Sequence, residues 1–230
     1  MDPQTLPARE QELYQKIREQ YKVAFEPLNM GEVRLNLLTV TDLEPLLEGK
    51  DPLKNPSDFP FWVKLWEAAI VLAQFLAGQD YGPETRLLEL GAGLGVPGLA
   101  AAAAGGEVTL TDYEEQILDF ERISAAASRL PDVRFEILDW KNPPAMERYD
   151  ILAGAEILFR EEFFEPLLEV MRRALKPGGV VYLAHDIRRQ SLKPFLEMAE
   201  AEYNIAASKR TLKSYEEDRV ILLNRLTPKQ

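Results

Sequence analysis

A glycine-rich turn is the first place in this sequence where residue types and spacing indicate chemistry. The segment 87–90 is apolar except for Glu89, and Gly91-Ala92-Gly93-Leu94-Gly95 follows it, ahead of a run of small residues. This order predicts a buried strand, a turn with positive φ angles, and a helix whose first N–H groups are open to a polar ligand. Asp112 ends the next predicted strand about 20 residues on, where a carboxylate can accept from ribose hydroxyls. The combination favours a nucleoside cofactor over a tight turn without a ligand.

The charge beside this turn distinguishes between nucleoside cofactors. Dinucleotide folds place a pyrophosphate at the helix N-terminus that follows the glycines. Glu89 lies two residues before Gly91, and we expect its carboxylate to point into the same crevice. A carboxylate there suits a positively charged cofactor and suits a pyrophosphate poorly. S-adenosylmethionine carries an ammonium and a sulfonium, so the sequence favours it over NAD.

Other strand ends add polar and aromatic candidates to the same crevice, because ligands of such sheets lie beyond the carboxyl ends of the strands. Asp139 and Trp140 follow the third predicted strand, where the carboxylate could accept from an adenine amino group and the indole could stack on the base. Taken singly, an ordinary turn residue and a packing aromatic fit them as well. Trp62 or Trp66, on a preceding apolar stripe, could cover the crevice, with core packing as the alternative.

Composition limits the classes of partner and site. The net charge of −11 and the pI near 4.8 argue against a nucleic-acid partner and permit a basic protein. The sequence has no cysteine and one histidine, His185, so we expect no disulfide framework, no cysteine nucleophile and no metal site. The first residues form no apolar signal segment, and the run 94–104 is too short to span a bilayer. We therefore expect a cytoplasmic protein without a membrane partner.

The order of patterns from Arg86 onward predicts the fold class. Apolar strand patterns alternate with amphipathic helix patterns, which is typical of a doubly wound parallel sheet. We expect an α/β, Rossmann-like, seven-strand sheet that is mostly parallel and ends in an antiparallel hairpin. Strands are predicted over 86–90, 107–111, 133–138, 149–153, 180–184, 203–212 and 219–226, and helices over 61–76, 96–104, 113–128, 161–175 and 191–202. Thr111 and Glu114 have the spacing of a capping box for the helix over 113–128.

A small α+β extension is predicted over residues 1–58. It contains a helix over 8–21, strands over 21–28 and 33–40 joined by Asn29-Met30-Gly31, and a short helix over 41–47 with capping-box spacing between Thr41 and Glu44. The loop from Lys50 to Pro60 is dense in Pro, Asp and Asn, so it is the expected boundary. The main domain is then expected over 59–230.

Five segments occur in an order and spacing similar to those of a known family. They are 66–72, 90–95, 110–112, 139–140 and 154–159. From about Phe61 onward the chain resembles the seven-strand S-adenosylmethionine methyltransferases of the protein-lysine group called methyltransferase family 16, which includes the methyltransferase-like 21 enzymes. The tryptophan-containing helix followed by the glycine loop is the specific part of this resemblance.

The resemblance implies a set of cofactor contacts. In this sequence they are Trp66, Gly91, Ala92, Gly93, Asp112, Trp140 and Ala155. Glu89, Gly95, Tyr113 and Asp139 complete the predicted cofactor site, because they border the same crevice.

The predicted catalytic residues are Glu156 and Phe159. The family carries an Asp-x-x-Tyr motif after the fourth strand, and this sequence has Glu156-Ile157-Leu158-Phe159, with a longer acid and no phenolic hydroxyl. We expect Glu156 to orient an acceptor amine and to take its proton through water. The departure keeps three functions open: a protein-lysine methyltransferase first, a small-molecule N- or O-methyltransferase second, and a non-catalytic cofactor-binding or interaction module third. His185 ends the fifth predicted strand, as a base or as a residue satisfied by loop contacts.

We predict that calorimetry will detect binding of S-adenosylmethionine or of its demethylated product, and no binding of NAD. Asp112→Ala should weaken that binding by about 1.5–3 kcal/mol, because it removes an acceptor of ribose hydroxyls. Binding of NAD alone would contradict the assignment of the cofactor.

Overall fold

The computed structural model describes residues 1–49, 54, 59–213 and 217–229. Its strands are β1 Val23–Met30, β2 Val33–Val40, β3 Arg86–Leu90, β4 Glu107–Asp112, β5 Arg134–Ile137, β6 Tyr149–Ala155, β7 Leu175–Asp186, β8 Tyr203–Leu212 and β9 Arg219–Pro228. Its helices are α1 Ala8–Gln20, α2 Glu44–Leu47, α3 Glu67–Ala77, α4 Val96–Ala103, α5 Glu115–Ala127, α6 Phe164–Ala174 and α7 Leu192–Ala199. No helix among these residues is both long and apolar enough to cross a membrane.

The main sheet has the strand order β5-β4-β3-β6-β7-β9-β8. Neighbours from β5 to β7 pair in parallel, and β9 pairs antiparallel with both β7 and β8. From β3 the chain moves outward to β5 and then returns to the other side of β3 with β6, so the strand order switches between β3 and β6. A crevice for a ligand is expected at that switch, beyond the carboxyl ends of both strands. The α/β, doubly wound fold with an antiparallel C-terminal hairpin is confirmed.

Helices cover both faces of this sheet, so the three leucines of β3 have apolar neighbours on either face. Leu87 packs in a cluster with residues of α3 and α4 on one face. Leu88 and Leu90 pack in a second cluster with α6 and α7 on the other face. All three leucines are buried, so the strand that leads into the glycine loop is held from both sides.

The N-terminal extension packs on α5. Hairpin β1–β2 presents Leu38, which is buried in a cluster with α1 and α5. The backbone N–H groups of Leu38 and Asn36 donate to the hydroxyls of Ser124 and Ser128, both at 2.9 Å. The expected loop from Lys50 to Pro60, and with it the expected boundary at residue 58, lies largely outside the described residues.

The helix predicted over 61–76 begins later than expected. Phe61–Val63 form a 3₁₀ turn, and α3 begins at Glu67 with Trp66 as its N-cap in extended conformation. Trp66 Nε1 donates to the Phe61 carbonyl at 3.0 Å, and the two rings stack with centroids 6.0 Å apart. These contacts fold the aromatic segment back on itself, so it cannot continue the helix.

Neither predicted capping box is formed. The Thr111 hydroxyl donates across the sheet to the Glu89 carbonyl at 2.6 Å, and α5 begins at Glu115. The Thr41 hydroxyl donates to the Lys22 carbonyl, while the Asp42 carboxylate accepts from Glu44 N–H at 3.0 Å. Thr111 lies within β4 and Thr41 directly follows β2, so carbonyl groups of the opposite chain segments accept from both hydroxyls.

Smaller boundary shifts have local causes. Met30 pairs with Val33, so the hairpin turn is Gly31-Glu32 and β1 starts two residues later than predicted. The helix predicted over 161–175 opens with a 3₁₀ turn at Glu161–Phe163 before α6 begins. β7 reaches back to Leu175, which pairs with Tyr149 beyond an irregularity in the ladder.

Gly98 in α4 is expected to tolerate no side chain, although alanine is normally the better helix former. A Cβ atom there would overlap Leu110 and would lie 2.7 Å from Glu89 Oε2. Gly98→Ala should lower the free energy of unfolding by about 1–3 kcal/mol in denaturant titrations, the range for overpacking. Gly78→Ala is the control, because its added Cβ would meet its nearest neighbour at 3.6 Å, and we expect a change within about 0.5 kcal/mol. Equal stability of the two variants would contradict the packing described for α4.

Candidate active site

The glycine loop forms a compact turn at the end of β3. Gly91, Gly93 and Gly95 have φ angles of 60°, 58° and 68°, which other residue types adopt only with strain. Ala92 N–H donates to the Thr111 carbonyl of β4 at 3.0 Å, and Gly95 N–H donates to the Ala92 carbonyl at 2.8 Å. The loop is therefore closed on itself and attached to the neighbouring strand.

Asp112, at the end of β4, is bound to this loop. Its Oδ2 accepts from Gly93 N–H at 2.9 Å, and its Oδ1 accepts from Tyr113 N–H at 2.8 Å. The side chain is buried, and burial raises its pKa to about 6. Each oxygen accepts one backbone bond and keeps capacity for another, so the carboxylate can still accept from ligand hydroxyls.

Aromatic residues lie against the outer side of the loop. A Cβ atom at Gly91 would be 3.3 Å from the Trp140 ring and 3.1 Å from Ile157. A Cβ atom at Gly93 would be 3.5 Å from the Trp62 carbonyl oxygen. The loop backbone is thus bordered by Trp140 on one side and by the Trp62 segment on the other. Glycine at these two positions permits that approach.

Glu89 does not face the crevice, in contrast to our expectation. Its side chain is 1% exposed, and Oε2 accepts from Gly98 N–H at 2.7 Å. The carboxyl therefore lies beneath the loop and satisfies one of the free N–H groups at the start of α4. Burial raises its pKa to about 8. Glu89 therefore holds the start of α4 from beneath the loop. A buried carboxyl in this position does not make a direct contact with a cationic cofactor in the crevice.

A second buried carboxyl, Glu121 of α5, was not predicted as part of the site. It is fully buried, and neither of its oxygens has a hydrogen-bond partner among the described residues. Its Cγ would lie 3.4 Å from a Cβ atom at Gly95, so it packs directly under the loop. Burial raises its pKa well above the usual range, and the nearby charges of Asp112 and Glu89 raise it further. Its spacing from Ile117 and Ser124 on one helix face could have indicated this burial.

The remaining predicted cofactor residues have varied surroundings. Gly95 packs against Leu110, so its glycine serves packing as well as backbone conformation. Ala155 ends β6 at the switch in strand order. Tyr113 is exposed, and Asp139 is an exposed turn residue whose carboxylate accepts from Lys141 N–H at 2.9 Å and from the Asn142 amide at 3.0 Å.

An open cavity of about 640 Å³ lies at the carboxyl ends of β6 and β7, and its lining includes no residue of the glycine loop. Its lining includes Trp66, Glu156 and Phe159, together with charged residues from the segment after β7. The structure therefore brings both predicted catalytic residues and one predicted cofactor residue to the same opening.

Glu156 is held in an unusual conformation. It is one of two non-glycine residues with positive φ among the described residues, at 56°. Its Oε1 accepts from Asp186 N–H at 2.6 Å, and its Oε2 accepts from Arg189 through Nε at 2.8 Å and through Nη2. The carboxylate side chain is 5% exposed, whereas that of Arg189 is 30% exposed. We expected a carboxylate open to the acceptor, and the structure instead pairs the carboxylate with the guanidinium of Arg189.

Phe159, which follows β6, and His185, near the end of β7, differ in exposure. Phe159 is exposed at the cavity rim and packs on Phe163 with ring centroids 5.5 Å apart. His185 is fully buried, its Nε2 accepts from Leu158 N–H at 3.4 Å, and burial lowers its pKa to about 3. Its low pKa and its position outside the cavity lining argue against a base, and the expected satisfaction by loop contacts is only partial, because Nδ1 has no partner among the described residues.

Comparison with known proteins identifies the family. The sequence pattern that defines the lysine methyltransferase family matches residues 61–202 of this chain. The chain belongs to that family. It is a methyltransferase, and S-adenosylmethionine is its cofactor.

Individual relatives act on different side chains according to their names. The protein N-lysine methyltransferase METTL21A of Xenopus tropicalis is 32% identical over 148 residues, which are 62% of this chain and 68% of the relative. The EEF1A lysine methyltransferase 3 of Mus musculus is 33% identical over 135 residues, 55% of this chain and 56% of the relative. The histone-arginine methyltransferase METTL23 of Rattus norvegicus is 36% identical over 111 residues, 45% of this chain and 49% of the relative.

Solved structures share the fold of this methyltransferase. A SAM-dependent methyltransferase from Agrobacterium tumefaciens superposes with a TM-score of 0.59 at 20% identity, covering 89% of this chain and 70% of that one. A precorrin-6y C5,15-methyltransferase from Geobacter metallireducens gives a TM-score of 0.58 at 16% identity, covering 74% of this chain and 92% of that one.

The residues of this methyltransferase fit its cofactor on three observations. Asp112 keeps free acceptor capacity, the three glycines turn the loop sharply at the end of β3, and Trp140 borders the loop with a flat apolar ring. Sequence reasoning overlooked Arg189, which belongs to a charged run after β7, and Glu121. No cluster of metal-ligating residues occurs in the part of the chain that the structure describes.

The buried carboxyls give the methyltransferase an inverse pH dependence of stability. The folded state raises the pKa values of Glu89 and Glu121 above those of the unfolded chain. The contribution of Glu89 is therefore complete below about pH 4.5 and is lost as pH rises through about 8, and the contribution of Glu121 falls with rising pH in the same direction. Glu121→Met removes a buried carboxyl without losing a hydrogen bond, so the free energy of unfolding at pH 8 should increase by about 1–3 kcal/mol. Denaturant titrations at pH 6 and pH 8 measure both effects.

Glu115→Met on the same helix is the matched control. Glu115 is exposed and pairs with Arg122, so its loss should cost no more than about 1 kcal/mol and leave the slope with pH unchanged. A loss of stability in Glu121→Met at pH 8 would show that the Glu121 carboxyl has a stabilising partner.

Proposed function

We propose that this methyltransferase transfers a methyl group to the ε-amine of a lysine in a protein substrate. The observation that carries the proposal is the open cavity at the carboxyl ends of β6 and β7, where Trp66, Glu156 and Phe159 meet. An opening at the sheet edge can admit one long side chain of a folded partner. The family match and the two lysine-methylating relatives support lysine as that side chain.

The proposed cofactor contacts follow the loop and the strand ends. Asp112 would hold the ribose hydroxyls, Trp140 and Asp139 the adenine, and Trp66 the methionine end. Loop positions Gly91, Ala92 and Gly93, with Tyr113 and Ala155, would line the path between them. Glu89 and Gly95 would keep the loop in place. When bound, the cofactor supplies an electrophilic methyl on sulfonium, which the amine lone pair takes while the electrons of the broken S–C bond stay on sulfur.

A lysine acceptor has to lose a proton before it can attack. From a reference pKa of about 10.4, this deprotonation costs about 4.6 kcal/mol at pH 7. A partly dry cavity and nearby positive charge both favour the neutral amine. The rest of the rate enhancement comes from holding the amine in line with the methyl, and the walls formed by Trp66 and Phe159 would supply that alignment.

The charge of the chain supports a basic protein as the partner. A net charge of −11 attracts lysine-rich surfaces over long distances and repels nucleic acid. We propose that the enzyme meets this protein in the cytoplasm, consistent with the lack of cysteine.

Arginine is the second candidate acceptor, because the relatives include proteins named histone-arginine methyltransferases. An acceptor screen with radiolabelled cofactor and acid hydrolysis of labelled bands separates the candidates. Methyl-lysine supports the proposal, and methyl-arginine replaces it with the second candidate. Label in small molecules would favour a small-molecule N- or O-methyltransferase. Cofactor binding without label transfer to any acceptor would favour a binding module.

Phe159→Ala is expected to weaken acceptor binding, because Phe159 is an exposed aromatic at the cavity rim. The KM for the acceptor should rise about tenfold, since interface aromatics commonly contribute more than 1 kcal/mol, while cofactor affinity by calorimetry stays unchanged. Phe159→Tyr keeps the ring and should behave like the unchanged enzyme. A rise in cofactor Kd in the alanine variant would place Phe159 at the cofactor and not at the acceptor.

A further inference from the structure

The ion pair between Glu156 and Arg189 determines which charge the cavity presents to an acceptor. Three donors already occupy the Glu156 carboxylate, from Asp186 N–H and from two nitrogens of Arg189. The carboxylate lies behind the guanidinium, with 5% of its side chain exposed against 30% for Arg189. A side chain that enters the cavity therefore meets Arg189 first.

Most other charged groups of the cavity are also paired. In the loop after β7, Arg188 Nη2 lies 2.7 Å from Asp186 Oδ2. Across the opening, Arg219 of β9 lies 3.9 Å from Glu67 of α3. Each pair joins opposite charges, so these four residues together add little net charge to the cavity.

Two charged groups complete the lining. Lys64, from the segment before α3, lies over the Trp66 ring with its Nζ 4.2 Å from the centroid. Glu161, from the turn before α6, has no ion-pair partner among the described residues and stands at the rim. The group that faces Glu156 at contact distance is thus Arg189.

A bare carboxylate at this place would hinder methylation of an amine. An opposite charge within about 4–6 Å favours the protonated amine by one to three pKa units. Only the neutral amine has the lone pair that attacks the methyl. Neutralisation of Glu156 by a guanidinium removes this effect, and the guanidinium itself disfavours the ammonium form.

We propose that Arg189 is a positioning residue that keeps the acceptor amine neutral, by covering the Glu156 carboxylate with its guanidinium. The inference rests on the proposed amine acceptor. It adds the residue that keeps this amine in its unprotonated form. The negative charge that the Asp-x-x-Tyr motif would present is here withdrawn behind Arg189.

The first test is the pH dependence of kcat, measured at saturating cofactor and acceptor so that it reports the bound amine. Arg189→Met should shift the apparent pKa of kcat upward by at least about one unit, because it uncovers the carboxylate. Arg189→Lys keeps the charge and should stay near the unchanged enzyme. Glu156→Gln/Arg189→Met removes both charges and should return the pKa towards the original value. The double variant also avoids the unpaired buried carboxylate that could unfold Arg189→Met.

Arg173→Met is the control, since it removes the same charge from an exposed ion pair of α6 outside the cavity lining and leaves the pair of Glu156 and Arg189 intact. Its apparent pKa should move by less than about 0.3 units. A uniform fall of kcat in Arg189→Met at every pH, with an unchanged pKa, would show a merely structural role and overturn the inference. A lower acceptor KM with an unchanged pKa would show that Arg189 only occupies the acceptor's place, and would overturn it as well.

A second test needs no acceptor. Binding of n-butylammonium to the enzyme saturated with demethylated cofactor is followed by NMR. Arg189→Met should bind this probe at least about tenfold more tightly than the unchanged enzyme, and the double variant should lose that gain. Equal binding by all three would overturn the inference even where lysine methylation is established. An acceptor screen without an amine substrate would contradict the proposed function. Tighter binding of n-butylammonium to Arg189→Met would, in that case, still support the effect of Arg189 on a cation in the cavity.

Discussion

Two backbone bonds to buried carboxyls hold the glycine loop, and the rest of the site depends on them. Gly93 N–H donates to Asp112, and Gly98 N–H donates to Glu89, from two adjacent parallel strands. The first bond fixes the middle of the loop and the second fixes the start of α4. Because β3 is packed from both faces, the loop inherits the rigidity of the sheet. The three positive φ angles follow from the need to turn within that short distance.

Burial of carboxyl groups beneath the glycine loop costs free energy of folding. Carboxyl groups in apolar surroundings favour the neutral form, and Glu121 lies in such surroundings without a hydrogen-bond partner among the described residues. Its neighbours Asp112 and Glu89 add like charge, which strengthens the same tendency. The N-terminal extension also packs on α5, where Leu38 N–H donates to Ser124, so the helix that carries Glu121 is held by a second set of contacts. The N-terminal extension and the glycine loop thus both pack against α5.

The parts of the site that follow from local chain geometry were predictable from the sequence. Gly91, Gly93 and Asp112 are marked by turn chemistry and by their place at strand ends, and the structure brings them together. The burial of Glu89 was not predictable from its spacing, because a strand residue before the loop can face either the crevice or the helix behind it. The pair of Glu156 and Arg189 joins residues 33 positions apart through a loop of unpredicted conformation. Trp66 was predicted within the helix, whereas it is the extended N-cap residue before α3, with its ring stacked on Phe61.

The left-handed backbone of Glu156 places stability and chemistry in opposition at a single position. A glycine there would relieve a conformational cost of about 1–2 kcal/mol, as would any residue type that accepts positive φ. The same change would leave the Arg189 guanidinium without its carboxylate and the cavity with an uncompensated positive charge. Selection for a higher free energy of unfolding alone would therefore replace glutamate at this position with a residue that accepts positive φ. Backbone strain alone therefore favours glycine at position 156, whereas the charge balance of the cavity favours glutamate.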